Sequence, residues 1–177
     1  MLRTALVMMV LASTALAAEP VTSGVPLGQR PGPYSFLVAT GPQRGQPTCY
    51  ICEQDKKPTV VVFARTLNDS LGKLLAGLDR ASLARKESGF KAWMTLLAET
   101  ADLDGLAKWS QKQGLGAVPV GAFEDVDGPP AYKLNRDADV TILVFVNKKV
   151  TANFALRSGE LTDAKVAEVL KSLDTLK

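Results

Sequence analysis

Two cysteines and no histidine set the chemistry open to this chain of 177 residues. The cysteines stand three apart, as Cys49-Tyr50-Ile51-Cys52, shortly before an apolar run. Two sulfurs so spaced can do three things. They can cycle between dithiol and disulfide, exchanging with protein thiols or disulfides. They can close a short loop as a staple. As two thiolates they can hold a soft ion such as Cu(I) in a near-linear pair. Zinc needs two further ligands, and the lack of histidine removes its usual nitrogen donor. The same lack excludes Ser-His-Asp and Cys-His catalysis and histidine acid–base chemistry. Arg44, Lys56 and Lys57 flank the motif, where a cation would favour a thiolate.

The compartment bears on the choice. Residues 1–17 read as an export signal: Arg3 is the basic start, residues 5–11 (ALVMMVL) the apolar stretch, and Ala15-Leu16-Ala17 the small-residue cleavage site. The product would begin at Ala18. The apolar stretch is too short for a stable membrane anchor, and no cysteine follows the cleavage site to take a lipid. The expectation is a soluble product, periplasmic or extracellular, with no membrane insertion after signal cleavage. Outside the cytoplasm thiols tend to be oxidised, so Cys49 and Cys52 should form a disulfide with each other. A loop this short gains little from closure entropy. That makes a weak staple for the fold and favours a local or redox role, since a short exposed disulfide is more reducible than a buried one.

Other groups carry less chemistry. The chain has 21 Lys and Arg against 18 Asp and Glu, a net charge of +3. Its basic pairs, Lys56-Lys57, Arg85-Lys86 and Lys148-Lys149, are scattered rather than clustered, which argues against nucleic acid as a partner. Asp125 and Asp127 lack the further carboxylates of a cation loop. Gly114, Gly116 and Gly121 lack the spacing of a dinucleotide fingerprint. No cofactor and no metal site is expected from these. Trp93 and Trp109 read as packing residues.

The elements that must position the cysteines follow from periodicity. Residues 18–33 are rich in Pro and Gly, without period, and read as an extended N-terminal arm or linker. Residues 34–40 (YSFLVAT) form a strand, then a turn-rich loop carries the cysteines to residues 59–64 (TVVVFA), a run suited to a central strand covered on both faces. Leu67, Leu71, Leu74, Leu75 and Leu78 make one helical stripe, with Thr66 or Asn68 as its cap. Residues 90–98 read as a strand, 101–113 as a helix with acidic residues early, and 118–123 as a strand. Pro130 opens a short helix. Residues 140–147 and 150–156 form a hairpin, and a last helix follows Thr162 with Val166, Val169, Leu170, Leu173 and Leu176 on its buried side. Alternating strands and helices make the class α/β, with a mixed central sheet ending in a C-terminal β-hairpin and helix.

This order resembles the thioredoxin-like superfamily, in particular the branch of peroxiredoxins and exported thiol-disulfide proteins. Residues 57–65 (KPTVVVFAR) resemble the strand that delivers the active-site loop. Residues 118–134 (VPVGAFEDVDGPPAYKL) resemble the segment in which a Pro-containing strand leads to a short helix. Residues 138–150 (ADVTILVFVNKKV) resemble the strand-turn-strand that normally begins with a cis-proline. The resemblance covers residues 34–177 and implies a three-layer sandwich. It also resembles exported bacterial thioredoxin-like proteins of unassigned function. The chain departs from the pattern in two places. Ala64-Arg65-Thr66-Leu67-Asn68-Asp69 stands where the C-x-x-C should open the helix, which also argues against a peroxidase. Val140 replaces the cis-proline, so an ordinary trans peptide is expected there. If the relocated pair works as in thioredoxins, Cys49 attacks and Cys52 resolves. Otherwise the domain is a non-catalytic binding or scaffold module with a structural Cys49–Cys52 disulfide, presenting an apolar or aromatic surface patch near Tyr34, Tyr50 or Tyr132.

Overall fold

A computed structural model describes residues 19–54 and 56–176; residues 1–17, for which the sequence suggests an export signal, lie outside the described residues. The strands are β1 (Phe36–Val38), β2 (Pro47–Thr48), β3 (Thr59–Ala64), β4 (Lys91–Leu97), β5 (Val120–Phe123), β6 (Val140–Val146) and β7 (Lys149–Leu156). The helices are α1 (Tyr50–Glu53), α2 (Asp69–Ala84), α3 (Leu103–Lys112) and α4 (Asp163–Ser172), with a 3₁₀ turn at Pro130–Tyr132. The described strands build one sheet in the order β2-β1-β5-β4-β3-β6-β7. β3, β4 and β5 are parallel, while β1 and β6 run antiparallel to their neighbours.

The central strand β3 is buried at all six positions, as its unbroken apolar run requires. Its residues alternate between two cores. Val60, Val62 and Ala64 face one, together with Ile142 and Val144 of β6 and the leucines of α2. Val61 and Phe63 face the other, with Trp93, Leu143 and Phe145. The first core is aliphatic, because helices pack their Leu and Val stripes on it: Leu71, Leu74, Leu75 and Leu78 of α2, Leu106 of α3 and Val166 and Val169 of α4 are buried there. The second core is aromatic and lacks a long helix. It is covered by α1, the arm and the 3₁₀ turn, whose Tyr50, Val25 and Tyr132 belong to it.

The helix starts agree with the sequence. Asn68, not Thr66, caps α2, accepting from Leu71 N–H at 2.9 Å, and Thr162 caps α4, accepting from Lys165 N–H. Asp102 caps α3 by accepting from Gly105 N–H at 2.8 Å. Two stretches differ. The first strand is shorter than residues 34–40, because the chain turns at Gly41 (φ 81°) and the Thr40 hydroxyl, not its backbone, accepts from Val120 N–H. Residues 50–53, taken as loop, form the single helical turn α1; one turn is too short to leave a periodic signal.

Residues 19–33 run extended but are tied along the aromatic face. Gly28 N–H donates to Val150 O at 2.8 Å and Val150 N–H to Gln29 O at 2.9 Å. Asn153 donates to Ser23 O and Val25 O, and the Tyr132 hydroxyl donates to Gly32 O at 2.8 Å. The segment therefore behaves as part of the domain's covering layer rather than as a linker. Gly32 passes so close to the 3₁₀ turn that an added Cβ would lie 2.9 Å from the Ala131 methyl.

Candidate functional site

Cys49 and Cys52 form a disulfide, with Cα atoms 5.4 Å apart. Cys49 follows the edge strand β2, and α1 then turns inward across the aromatic face. Tyr50, the residue between the sulfurs, directs this. Its ring is buried against Phe36 at 5.5 Å and Trp93 at 5.6 Å, and Lys91 Nζ sits 3.8 Å above its centroid. Lys91 also pairs with Glu53 at 3.2 Å, so one lysine from the start of β4 holds both ends of α1. Burial pushes the Tyr50 phenol up, with Glu53 adding to the shift.

With Tyr50 anchored, Cys49 is half-buried and Cys52 exposed. Cys52 and Ile51 line a cleft of about 430 Å³ whose other walls are residues 30–33, Phe145 and Lys148. Three distant segments meet there: the arm, the turn after the cysteines, and the tip of the β6–β7 hairpin. Asn147 and Lys148 take φ of 52° and 62°, the left-handed pair of a two-residue hairpin turn, and Asn147 N–H donates to Lys56 O at 3.1 Å. A register shift at Val144/Phe145 pairs Phe145 with Val150, the residue that also binds the arm.

The expected cations lie elsewhere. Arg44 is engaged by Asp104, Lys57 packs its stem over Gly89, and Lys56 meets the hairpin tip through its backbone carbonyl; none of the three lines the cleft. Its cations are Arg30 and Lys148, neither singled out by the sequence. Lys148 had a signal in its hairpin turn; Arg30 had none. Among the described residues, no group of three or more His, Cys, Asp or Glu side chains is poised to hold a metal. In the disulfide the sulfurs are not thiolates, so a Cu(I) pair would belong to the reduced form alone.

The cleft lies at the start of β3, because Phe145 pairs with Thr59. The opposite end of β3, where Ala64 pairs with Val140, lies about 17 Å away along the strand. Arg65 occupies that end. Its Nε donates to Ala138 O at 3.0 Å, Nη2 to Asn135 O at 3.2 Å and Nη1 to Val126 O, and its N–H to Asp139 O at 2.9 Å. Burial lowers its pKa from the ordinary arginine value. Thr66 donates to the Asp139 carboxylate at 2.8 Å, and the Asp139–Val140 peptide is trans. Asp127 is held by Arg136 at 2.8 Å rather than left for a cation, and this pair pulls the Asp127 carboxyl down.

Solved structures share the fold. The chain is similar to a candidate protein disulfide isomerase of Bacteroides thetaiotaomicron, with TM-score 0.66 and 15% identity over 88% of this chain and 94% of that one. It is also similar to Mycobacterium tuberculosis peroxidoxin BcpB, with TM-score 0.61 and 15% identity over 85% and 97% of the two chains. A secreted M. tuberculosis disulfide oxidoreductase homologous to E. coli DsbE gives TM-score 0.57 and 11% identity over 79% and 96%. The fold is thioredoxin-like. No family model matches the chain, and no curated protein matches it.

In this thioredoxin-like domain the usual helix-opening position is filled by Arg65 and Thr66, and the cysteine pair sits at the other end of β3. Tyr34, Tyr50 and Tyr132 are all buried, so their own rings supply no surface patch. They form the core instead. Tyr34 Oη accepts from Trp93 Nε1 at 2.7 Å and bonds Thr95 Oγ1 at 2.9 Å, and its ring lies 5.0 Å from Tyr132. Trp93 is a packing residue, as expected, and Trp109 packs against the aliphatic core. Burial pushes the Tyr34 and Tyr132 phenols well above the usual tyrosine range.

Proposed function

We propose that this protein is an exported thiol-disulfide exchange protein whose working pair is Cys49 and Cys52. The observation that carries this reading is the disulfide's position: Cys52 is exposed and lines a cleft of about 430 Å³, while Cys49 is half-buried behind it. An attacking thiolate needs access to one sulfur and a leaving sulfur behind it, and both conditions are met. In the reaction a thiolate forms a bond to one cysteine sulfur, the Cys49–Cys52 bond breaks, and the other cysteine leaves with the electron pair and takes up a proton. A second thiol completes the two-electron reduction. The likeness to oxidoreductases supports the fold that carries the pair, and the usual catalytic position contributes no sulfur. The leader-like residues 1–17 support export to an oxidising compartment, where the disulfide would be the resting state. Among the described residues no helix is long and apolar enough to cross a membrane.

The deciding experiment is titration of the purified protein against a glutathione redox buffer, counting alkylated thiols by mass. A midpoint near the glutathione couple supports exchange; a pair that stays oxidised beyond about −300 mV is a structural staple. The staple reading has its own support, since Tyr50 between the sulfurs is a core residue that the disulfide helps to hold. Edman sequencing of the protein recovered from the exported fraction tests the cleavage after Ala17.

A further inference from the structure

The cleft has a chemical character as well as a disulfide. Arg30 is a basic residue of its wall, and none of the described residues lining the cleft is a carboxylate. Glu53, next to Cys52 in sequence, is turned to Lys91. Arg30 is exposed and makes no hydrogen bond or ion pair to another described residue. Its backbone is nonetheless fixed: Gln29 O accepts from Val150 N–H on one side, and on the other Pro31 is buried and Gly32 O accepts from Tyr132. Pro31 and Pro33 limit the backbone further. Arg30 thus stands on a fixed backbone at the wall of the cleft that Cys52 and the apolar Ile51 and Phe145 also line. A volume of about 430 Å³ suits a small molecule, and the cleft is bounded by the hairpin tip rather than open as a long groove for an extended chain.

We propose that this cleft receives a small thiol carrying a carboxylate, that Arg30 binds the carboxylate, and that Cys52 is the sulfur attacked. The inference rests on the exchange reading and names its substrate class. It also reverses the order carried over from thioredoxins, in which Cys49 would be the reactive sulfur. The small thiolate bonds to Cys52 Sγ, the Cys49–Cys52 bond breaks, and Cys49 leaves as a thiolate that takes up a proton. The mixed disulfide on Cys52 then lies in the cleft, with its carboxylate within the reach of the Arg30 fork.

The test uses the oxidised full-length product and three thiols, mercaptopropionate (anionic), mercaptoethanol (neutral) and cysteamine (cationic), each rate at equal thiolate concentration being divided by the same thiol's rate with oxidised mercaptoethanol to remove its intrinsic nucleophilicity. Opening of the disulfide is followed by quenching with a maleimide and counting labels by mass. The expected order is anionic over neutral over cationic, with about threefold to fivefold between the first two at low salt and less at high salt. Arg30→Gln should bring the anionic rate down to the neutral one, and Arg30→Lys should restore part of the preference. Lys171→Gln, the same loss of charge on an exposed residue of α4, should keep the preference. Equal rates for the three thiols, or a preference that survives Arg30→Gln, overturn the carboxylate assignment while leaving exchange intact. If none of the thiols opens the pair, the exchange reading itself fails. The reactive sulfur is read separately from the single-cysteine variants: with the disulfide of mercaptopropionate, Cys49→Ser protein should form its adduct faster than Cys52→Ser protein. The opposite order overturns the assignment of Cys52.

Discussion

The two ends of β3 carry different groups: a disulfide and its cleft lie at one, and a guanidinium bonded to main-chain oxygens lies at the other. In a thioredoxin-like sheet the C-terminal ends of the parallel strands usually carry the chemistry, because the following helix begins there and its free N–H groups face outward. In this chain that end is sealed. Arg65 reaches three carbonyls from residues 126, 135 and 138, Thr66 is bonded to Asp139, and no cysteine stands at the helix start. The N-terminal end, normally a place of plain packing, carries the disulfide and a cleft. A fold supplies rigid ends, and the residues placed on them decide which end reacts. The end that gained a cleft is also the one covered by irregular backbone, whereas the sealed end is bridged by a guanidinium fixed to main-chain oxygens.

This contrast can be broken in four ways, beginning with the largest effect. Cys52→Ser should reduce exchange with small disulfides to background while Thr66→Ala leaves it in place; activity that survives Cys52→Ser would move the chemistry away from the cleft. Tyr50→Ala removes the aromatic anchor between the sulfurs and should lower stability by about 3–5 kcal/mol in urea unfolding. A loss below about 1 kcal/mol would mean that α1 is held by the disulfide alone. Alkaline pH comes next. The Tyr34 and Tyr132 phenols are raised in the fold by burial, so the unfolded chain ionises first near pH 10. The stability they contribute is present below that pH and is lost as pH rises through it, at about 1.4 kcal/mol per unit for each phenol. Between pH 9 and 11 the domain should lose about 2–3 kcal/mol, and Tyr34→Phe should remove part of that slope. Arg65→Met, which keeps the stem and deletes the guanidinium, should lower the unfolding free energy by about 1–3 kcal/mol and leave exchange at the cleft unchanged. A change in the exchange rate would couple the two ends.

Much of the fold is legible because burial imposes a period. β3 had to be central, since the five apolar residues that follow Thr59 leave no face for water, and the leucine stripe of α2 had to lie on one side of it. Asn68 and Thr162 marked helix starts through local hydrogen bonding. The site was legible only in part. The cysteines and their displacement from the helix were visible, but their surroundings were not. Arg30 lies 22 residues before Cys52 and Phe145 lies 93 after it, and no local pattern joins them. Arg44 and Lys57 were nearer in sequence and point elsewhere, because Arg44 has Asp104 and Lys57 has Gly89 to pack on. The sequence left an extended arm and a linker both open for these residues, because the bonds that tie the arm run to Val150, Asn153 and Tyr132, all far along the chain.

The sequence by itself determined the inventory: one possible internal disulfide, no histidine, a central strand between two covering layers, and no sulfur at the start of α2. Tertiary structure decided which sulfur faces solvent and what faces it. Tyr50 sinks among Phe36 and Trp93, and on a single helical turn that choice leaves Cys49 behind and turns Cys52 outward. The physical reason is one of range. Periodicity and capping are set by residues three or four apart, whereas the cleft beside Cys52 exists only where an arm, a turn and a hairpin tip are brought together by packing on a shared aromatic face.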